Sequence, residues 1–160
     1  MNPGRFVNEE RVDLDLDAAF PRPEDDDGWS VSGEALAEHM AGLLELSDQI
    51  VNPTKLRRDI IERERRAPTL LGEGVAMPHV RTLQARKLVM AVGVSREGLP
   101  MNGPDDEPVR LVIAFAGPTY DDKQFMHLEK RLAERILEDG WVERVLDASS
   151  AGEVVRAMGQ

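Results

Sequence analysis

The sequence has 160 residues, 30 of them acidic and 20 basic, for a net charge of −10. This length suits one domain with a sizeable core, and the acidic balance argues against a general nucleic-acid-binding role, because no excess of positive charge is available to release counterions. The absence of cysteine excludes disulfides, thiolate zinc sites and cysteine nucleophiles.

The first 30 residues differ in composition from the rest and are interpreted as an N-terminal extension. Residues 12–17 alternate apolar and acidic side chains with period two, which predicts an edge strand. The prolines and the acidic run of residues 21–28 predict a solvated loop, and the first ten residues are expected to be loosely held. No apolar signal or membrane-length apolar run is visible in the sequence, which favours a cytoplasmic location.

Two helices are predicted next. Ser32 is placed to cap the first, whose apolar side chains recur at helical spacing. His39 lies in this helix among small and apolar neighbours and is interpreted as a boundary residue without chemistry. The second helix is predicted to open at residues 52–54 and to end in the charged cluster of residues 62–66.

A short apolar run then delivers a histidine. Residues 75–77 predict a buried strand, and Gly72 and Gly74 before it tolerate unusual backbone angles. Pro78 lacks an N–H and is expected to end the strand pairing, which places His79 at a strand-to-loop junction. An imidazole at such a position is suited to taking up and handing on a proton or a phosphoryl group. A partly buried structural histidine is the alternative, and the Pro-His pair alone favours it.

The remainder of the chain alternates strands and helices. Residues 87–95 and 109–116 predict two strands, the second apolar enough to be buried on both faces. The loop between them is rich in turn formers, Pro104 among them. A helix is predicted over residues 121–137, and two short helices close the chain over residues 141–158. This alternation predicts an α/β fold, with a mixed β-sheet of about four or five strands flanked by helices on both faces.

Several residues before and including His79 stand in the order of a family signature. They are Arg63-Glu64, Thr69, Gly72-Glu73-Gly74 and Ala76-Met77-Pro78-His79. The stretch resembles the enzyme IIA (EIIA) components of the bacterial sugar phosphotransferase system, in the fructose, mannitol and nitrogen-regulatory (type 2) family. The later strand and helices resemble the family too, so the resemblance implies the same α/β fold and a family domain over residues 31–160. Val80 departs from the pattern, since the family has a small residue there.

The resemblance implies a phosphocarrier. His79 would accept a phosphoryl group from the phosphohistidine carrier protein HPr and pass it to an EIIB component. Arg63 would stabilise the phosphoryl group, held in place by an ion pair with Glu64. His127 would face His79 across the pocket as a second phosphoryl stabiliser. Because the family's next acceptor is usually a cysteine, which this chain lacks, that acceptor is expected on a separate molecule.

Two alternatives to this phosphocarrier stay open. In the first, the chain is a regulatory homologue whose phosphorylation state controls its binding to a transporter, a kinase or another target. In the second, His79 and His127 bind a metal ion, although the sequence offers them no carboxylate at ligand spacing. No cofactor is expected, since the sequence contains no Gly-rich nucleotide loop.

The partners are expected to be proteins with basic faces, unless the acidic surface of the chain serves only solubility. Met77, Val80 and Met126 are expected to form a small exposed apolar patch beside His79. Flexible or small apolar side chains suit a surface that repacks against different partners in turn.

Overall fold

The structure, a computed structural model, describes residues 1–103 and 105–160, so Pro104 lies outside the described residues. Within that part of the chain there are six α-helices and six β-strands. The helices are α1 (Leu16–Ala19), α2 (Gly33–Leu44), α3 (Pro53–Arg66), α4 (Asp122–Leu137), α5 (Trp141–Leu146) and α6 (Ala151–Met158). The strands are β1 (Val12–Asp13), β2 (Leu70–Gly72), β3 (Val75–Ala76), β4 (His79–Arg81), β5 (Val89–Leu99) and β6 (Val109–Gly117).

The strands form one mixed sheet in the order β1-β5-β6-β3-β2, and β4 also pairs with β6. The central strands β5 and β6 are antiparallel, while β3 and β4 both run parallel to β6. The predicted α/β class is confirmed, with helices on both faces. The sheet has six strands because the motif contributes two short strands, β3 and β4, which Pro78 separates.

Two hydrophobic cores cover the two faces of the sheet. Alternate residues of β6 point to opposite sides, so Phe115 packs in the core beside α4, α5 and α6, and Ala114 packs in the core beside α2 and α3. This confirms that the strand predicted from its apolar run is buried on both faces. The motif that ends at His79 is buried for the same reason, because its strands β3 and β4 pair with β6 and both faces of the sheet are covered.

The helix starts follow the capping residues expected from the sequence. The Ser32 side chain accepts a hydrogen bond from the backbone N–H of Ala35 at 3.1 Å, and the Asn52 side chain accepts one from Lys55 at the same distance. Pro53 occupies the first position of α3, where its missing N–H has no partner to lose. Among the described helices, none combines the length and the apolar composition that crossing a membrane requires.

The N-terminal segment is more structured than its sequence predicts. The expected edge strand is at the sheet edge, but β1 has two residues and is followed by α1, since the Asp15 side chain caps that helix by accepting from the N–H of Ala18 at 3.2 Å. The prediction that the first ten residues are loose is wrong. They contain the 3₁₀ helix Pro3–Phe6 and the start of a second one, Glu9–Arg11, and Val7 is buried in one core. Leu16, further along the segment, is buried in the other core, so the segment is fastened to both faces of the sheet.

Candidate functional site

His79 is the first residue of β4 and lies opposite Phe115 of β6. The prediction of a strand-to-loop junction is wrong, because the pairing resumes after the proline. Pro78 cannot donate a hydrogen bond, yet its carbonyl still accepts one from the N–H of Phe115 at 3.2 Å. The backbone before the strand is turned by Gly72 and Gly74, whose φ angles of 79° and 74° confirm the expected unusual conformation.

The imidazole of His79 is held in one orientation. Its Nδ1 lies 2.6 Å from the carbonyl oxygen of Met77. A carbonyl only accepts, so Nδ1 carries a proton and Nε2 is the ring nitrogen left for other partners. The ring is buried and stacks on Phe115, with centroids 4.8 Å apart and planes 9° apart. The ring nitrogen that Met77 leaves unoccupied is therefore Nε2, and its direction is set by the strand and by the aromatic ring of Phe115.

His79 lines a cavity of about 350 Å³ between β4, α3 and α4. The cavity is lined by three guanidinium groups and one carboxylate besides the histidine and two apolar side chains. These lining residues are Arg63, Arg66, His79, Val80, Arg81, Phe125 and Glu129. In a chain with a net charge of −10, this cavity concentrates positive charge beside a nucleophilic nitrogen.

The arginines reach the cavity from different elements. Arg63, in the last turn of α3, donates from Nη1 to the carbonyl oxygen of Ala67 at 2.7 Å. Arg81, in β4, donates from Nη1 to Oδ1 of Asp122 at 2.8 Å, which links β4 to the start of α4. A guanidinium remains charged and offers paired N–H donors, so these side chains are suited to phosphate oxygens.

Glu64 does not pair with Arg63, and the prediction of that ion pair is wrong. Its carboxylate is buried and accepts hydrogen bonds from the N–H of Thr69 at 3.1 Å and from its hydroxyl at 2.6 Å. Successive helical residues point about 100° apart, so the two side chains leave α3 on different sides. Arg63 therefore lines the cavity, while Glu64 anchors the start of β2.

The structure does not bring His127 to His79. Phe125 and Glu129, one turn apart on α4, are the residues of that helix that approach His79, with ring centroids of Phe125 and His79 6.0 Å apart and Glu129 Oε1 3.3 Å from Nε2. His127 is exposed on another side of α4, because the buried Leu128 and Leu132 fix the rotation of the helix. The metal-site alternative loses its second histidine for the same reason, and the described residues contain no group of three metal-ligating side chains.

Three residues of the cavity were missed by sequence reasoning. Arg81 carried a signal, since it is two residues after His79 and successive side chains of a strand alternate between its faces. Arg66 carried one too, because it is three residues after Arg63 on a helix. Glu129 had no local signal, since only the packing of α4 on the sheet brings it to His79.

The expected apolar patch beside His79 is wrong in two of its three residues. Met77 and Val80 are buried, one in each core, because both faces of the sheet are covered. Met126 is exposed, as predicted, and the exposed apolar side chains Leu83 and Tyr120 lie close in sequence to the ends of β4 and α4.

Fold and cavity together define an α/β protein that presents one histidine nitrogen to an arginine-lined pocket. The family described as "Phosphoenolpyruvate-dependent sugar phosphotransferase system, EIIA 2" has a sequence model that matches residues 31–160. The chain therefore belongs to this family, whose members are phosphotransferase components, and the resemblance found in the sequence is confirmed.

Its relatives include sugar-specific and regulatory proteins. The chain is 30% identical over 126 residues to the 2-O-alpha-mannosyl-D-glycerate-specific EIIABC component from Escherichia coli, a match that covers 78% of this chain and 18% of that protein. It is 23% identical over 127 residues to the fructose-specific EIIABC component from Bacillus subtilis, covering 79% of this chain and 20% of that protein. The chain therefore spans a small part of the length of these relatives. The crystal structure of the nitrogen regulatory protein IIA-Ntr from Neisseria meningitidis matches with a TM-score of 0.75 and 26% identity, over 97% of both chains.

Proposed function

We propose that this chain is a cytoplasmic phosphocarrier in which Nε2 of His79 accepts a phosphoryl group from phosphorylated HPr and passes it to an EIIB component. The observation that carries the proposal is the hydrogen bond from Nδ1 to the carbonyl of Met77, which leaves Nε2 as the ring nitrogen on the side of the arginine-lined cavity. A histidine fixed in this way is oriented before the donor arrives, and orientation contributes much of the rate in phosphoryl transfer.

The transfer balances as a displacement at phosphorus. The lone pair of Nε2 forms the new P–N bond, and the P–N bond of the donor's phosphohistidine breaks with its electron pair returning to the donor's imidazole. Arg63 and Arg81 are the groups that we assign to the charge on the phosphoryl oxygens, because both line the cavity with guanidinium donors. The role of His127 as a direct stabiliser stays a prediction, and its exposed position argues against it.

The names of the EIIABC relatives join an A component to B and C components, which supports an EIIB component as the next acceptor. Donor and acceptor must each reach Nε2 in turn, so we assign their docking to the surface around the cavity. Leu83, Tyr120 and Met126 are exposed apolar residues in or close in sequence to β4 and α4, two elements that line the cavity. Such relays need brief contacts, so the complexes are expected to be small, with dissociation constants of about a micromolar or weaker.

The second candidate is a regulatory protein whose phosphorylation at His79 controls its binding to a transporter, a kinase or another target. The match to a nitrogen regulatory protein over 97% of both chains favours it. Both candidates use the same phosphorylated nitrogen, and they differ only in what the phosphorylated chain meets next.

The test is to incubate the chain with phosphoenolpyruvate, enzyme I and HPr from the same organism and to record intact mass before and after acid treatment. We expect one acid-labile phosphoryl group per chain, mapped to His79. Adding an EIIB component then separates the candidates: rapid loss of the group to EIIB supports the carrier, and a stable phosphoprotein supports the regulator. A chain that takes up no phosphoryl group contradicts both.

A further inference from the structure

Glu129 is in contact with the nitrogen that the phosphoryl group is proposed to occupy. Its Oε1 is 3.3 Å from Nε2 of His79. Among the residues that the structure describes, His79 is the one ion-pair partner of Glu129, although three arginines line the same cavity. The carboxylate is therefore aimed at the reactive nitrogen and keeps a negative charge that the cavity's own arginines do not pair with.

Phosphorylation turns the electrostatic interaction between Glu129 and His79 from attraction into repulsion. Nδ1 already holds a proton for the carbonyl of Met77, so Nε2 attracts the Glu129 carboxylate only when Nε2 carries a proton as well. Nε2 has to lose that proton to solvent before its lone pair can form the bond to phosphorus. The carboxylate then faces a phosphoryl group with a charge of about −1.5 to −2 in place of a protonated imidazole nitrogen.

Resting on the function proposed above, we infer that Glu129 sets the phosphoryl-transfer equilibrium of His79. Its carboxylate repels the bound phosphoryl group and favours the free histidine, so it opposes the guanidinium groups of Arg63 and Arg81. A carrier has to release its group as readily as it accepts it. The arginines lower the barrier to phosphoryl transfer by neutralising charge on the phosphoryl oxygens. Glu129 prevents the same arginines from binding the transferred phosphoryl group too tightly.

The charge of Glu129 is separable from the fold. Its side chain is half exposed, while the buried Phe125, Leu128 and Leu132 hold α4 on the sheet. Exchange of the carboxylate for an amide of equal size therefore removes the charge and leaves the packing of the helix unchanged. In the competing role, Glu129 takes the proton from Nε2 to make it nucleophilic. Loss of Glu129 would then slow phosphorylation and leave its equilibrium unchanged.

The matched pair of variants is Glu129→Gln and Glu134→Gln. Glu134 is an exposed glutamate of the same helix, and its ion-pair partner is Arg131 rather than His79. Each protein is equilibrated with phosphorylated HPr, and the phosphorylated fractions are read from intact mass. A neighbouring charge at this distance typically shifts a proton-binding equilibrium by one to three powers of ten. We therefore expect E129Q to shift the phosphoryl-transfer equilibrium about tenfold toward the phosphorylated chain. E134Q should match the wild type, and an unchanged or smaller phosphorylated fraction in E129Q overturns the inference.

A second measurement is independent of the phosphocarrier role. Inorganic phosphate is titrated into each protein at low ionic strength, and the ring resonances of His79 are followed by NMR. E129Q is expected to bind phosphate about five times more tightly than the wild type, because one repelling charge is gone. Equal or weaker binding in E129Q overturns the role of Glu129. A wild type that HPr never phosphorylates overturns the proposed function instead, whatever the phosphate titration gives.

Discussion

The described residues form two histidine–carboxylate pairs, which differ in whether the histidine or the carboxylate is fixed by further contacts. In the cavity, the His79 side chain is 8% exposed and is fixed by Met77 and Phe115, while its partner Glu129 is 43% exposed. At the sheet edge, Nε2 of His39 donates to Oδ2 of Asp13 at 2.8 Å, and the exposures are 29% and 22%.

In the edge pair the carboxylate is the fixed partner. Asp13 belongs to β1, and its Oδ1 also accepts a hydrogen bond from the N–H of Asp15 at 2.9 Å. His39 contacts Phe20 edge to face, with ring centroids 5.5 Å apart. Such a pair joins the N-terminal segment to α2, and its polar atoms are used in structural contacts. A histidine is available for chemistry when one ring nitrogen is held and the other faces a pocket, which describes His79.

The largest difference between the two pairs is expected in phosphorylation. His79→Gln should abolish the acid-labile phosphoryl group, because no other described histidine lines the arginine-lined cavity. His39→Gln should retain full uptake from HPr, since His39 lies outside that cavity and is paired with Asp13. Intact mass and peptide mapping measure both. Label that survives in the His79 variant, or that disappears in the His39 variant, would reverse the assignment of roles.

The next largest effect, on the rate of phosphorylation, is expected from the arginines that line the cavity around His79. Arg63→Ala should still accept the phosphoryl group but about a hundredfold more slowly, the usual cost of removing one donor from a pre-organised site. Arg65→Ala is the matched control, because Arg65 is exposed in the same helical turn and pairs with Glu34 outside the cavity. Rapid-quench measurement of uptake from HPr compares them. Equal rates for the two variants would show that Arg63 does not contact the phosphoryl group.

The edge pair should instead control stability and its pH dependence. The hydrogen bond from His39 holds the pKa of Asp13 below its ordinary value, helped by the N–H of Asp15 and opposed by burial. A carboxyl with a depressed pKa in the folded state stabilises the fold above its unfolded pKa, and this contribution is lost as the pH falls through the folded value. Asp13→Asn should therefore lower the free energy of unfolding by roughly 1 kcal/mol at neutral pH, a modest figure because the pair is partly exposed.

The pH dependence supplies the control for that prediction. The difference between wild type and Asp13→Asn should shrink as the pH falls below about 4, where the unfolded carboxyl becomes protonated. Urea unfolding followed by circular dichroism at several pH values measures it. A difference that stays constant down to about pH 2.5 would mean that the Asp13 charge does not stabilise the fold.

The smallest effect is expected for His127, the histidine that belongs to neither pair. It is exposed on a side of α4 that does not approach His79, so His127→Ala should take up the phosphoryl group within about twofold of the wild-type rate, far from the loss expected for a direct donor. The same rapid-quench assay applies. A hundredfold loss would restore the stabilising role that the family resemblance implies, and would require α4 to rotate when the phosphoryl group binds.

Much of the fold and the family signature that ends at His79 follow from the sequence alone. Helix caps such as Ser32 and Asn52, the glycine turn before β3 and the apolar run of β6 are local features, and the energies that decide them involve residues close together in the chain. The family signature that ends at His79 is local as well. The division into an extension over residues 1–30 and a domain over residues 31–160 stays a prediction.

What faces Nε2 was decided by tertiary structure. Which side of α4 meets the sheet depends on the burial of Phe125 and Leu128, and that choice brings Glu129 to His79 and turns His127 to solvent. The N-terminal segment was misjudged for a related reason, because Val7 and Leu16 are fixed by cores built from distant residues. A contact between residues far apart in sequence depends on how whole elements rotate and pack, and no local pattern carries that information.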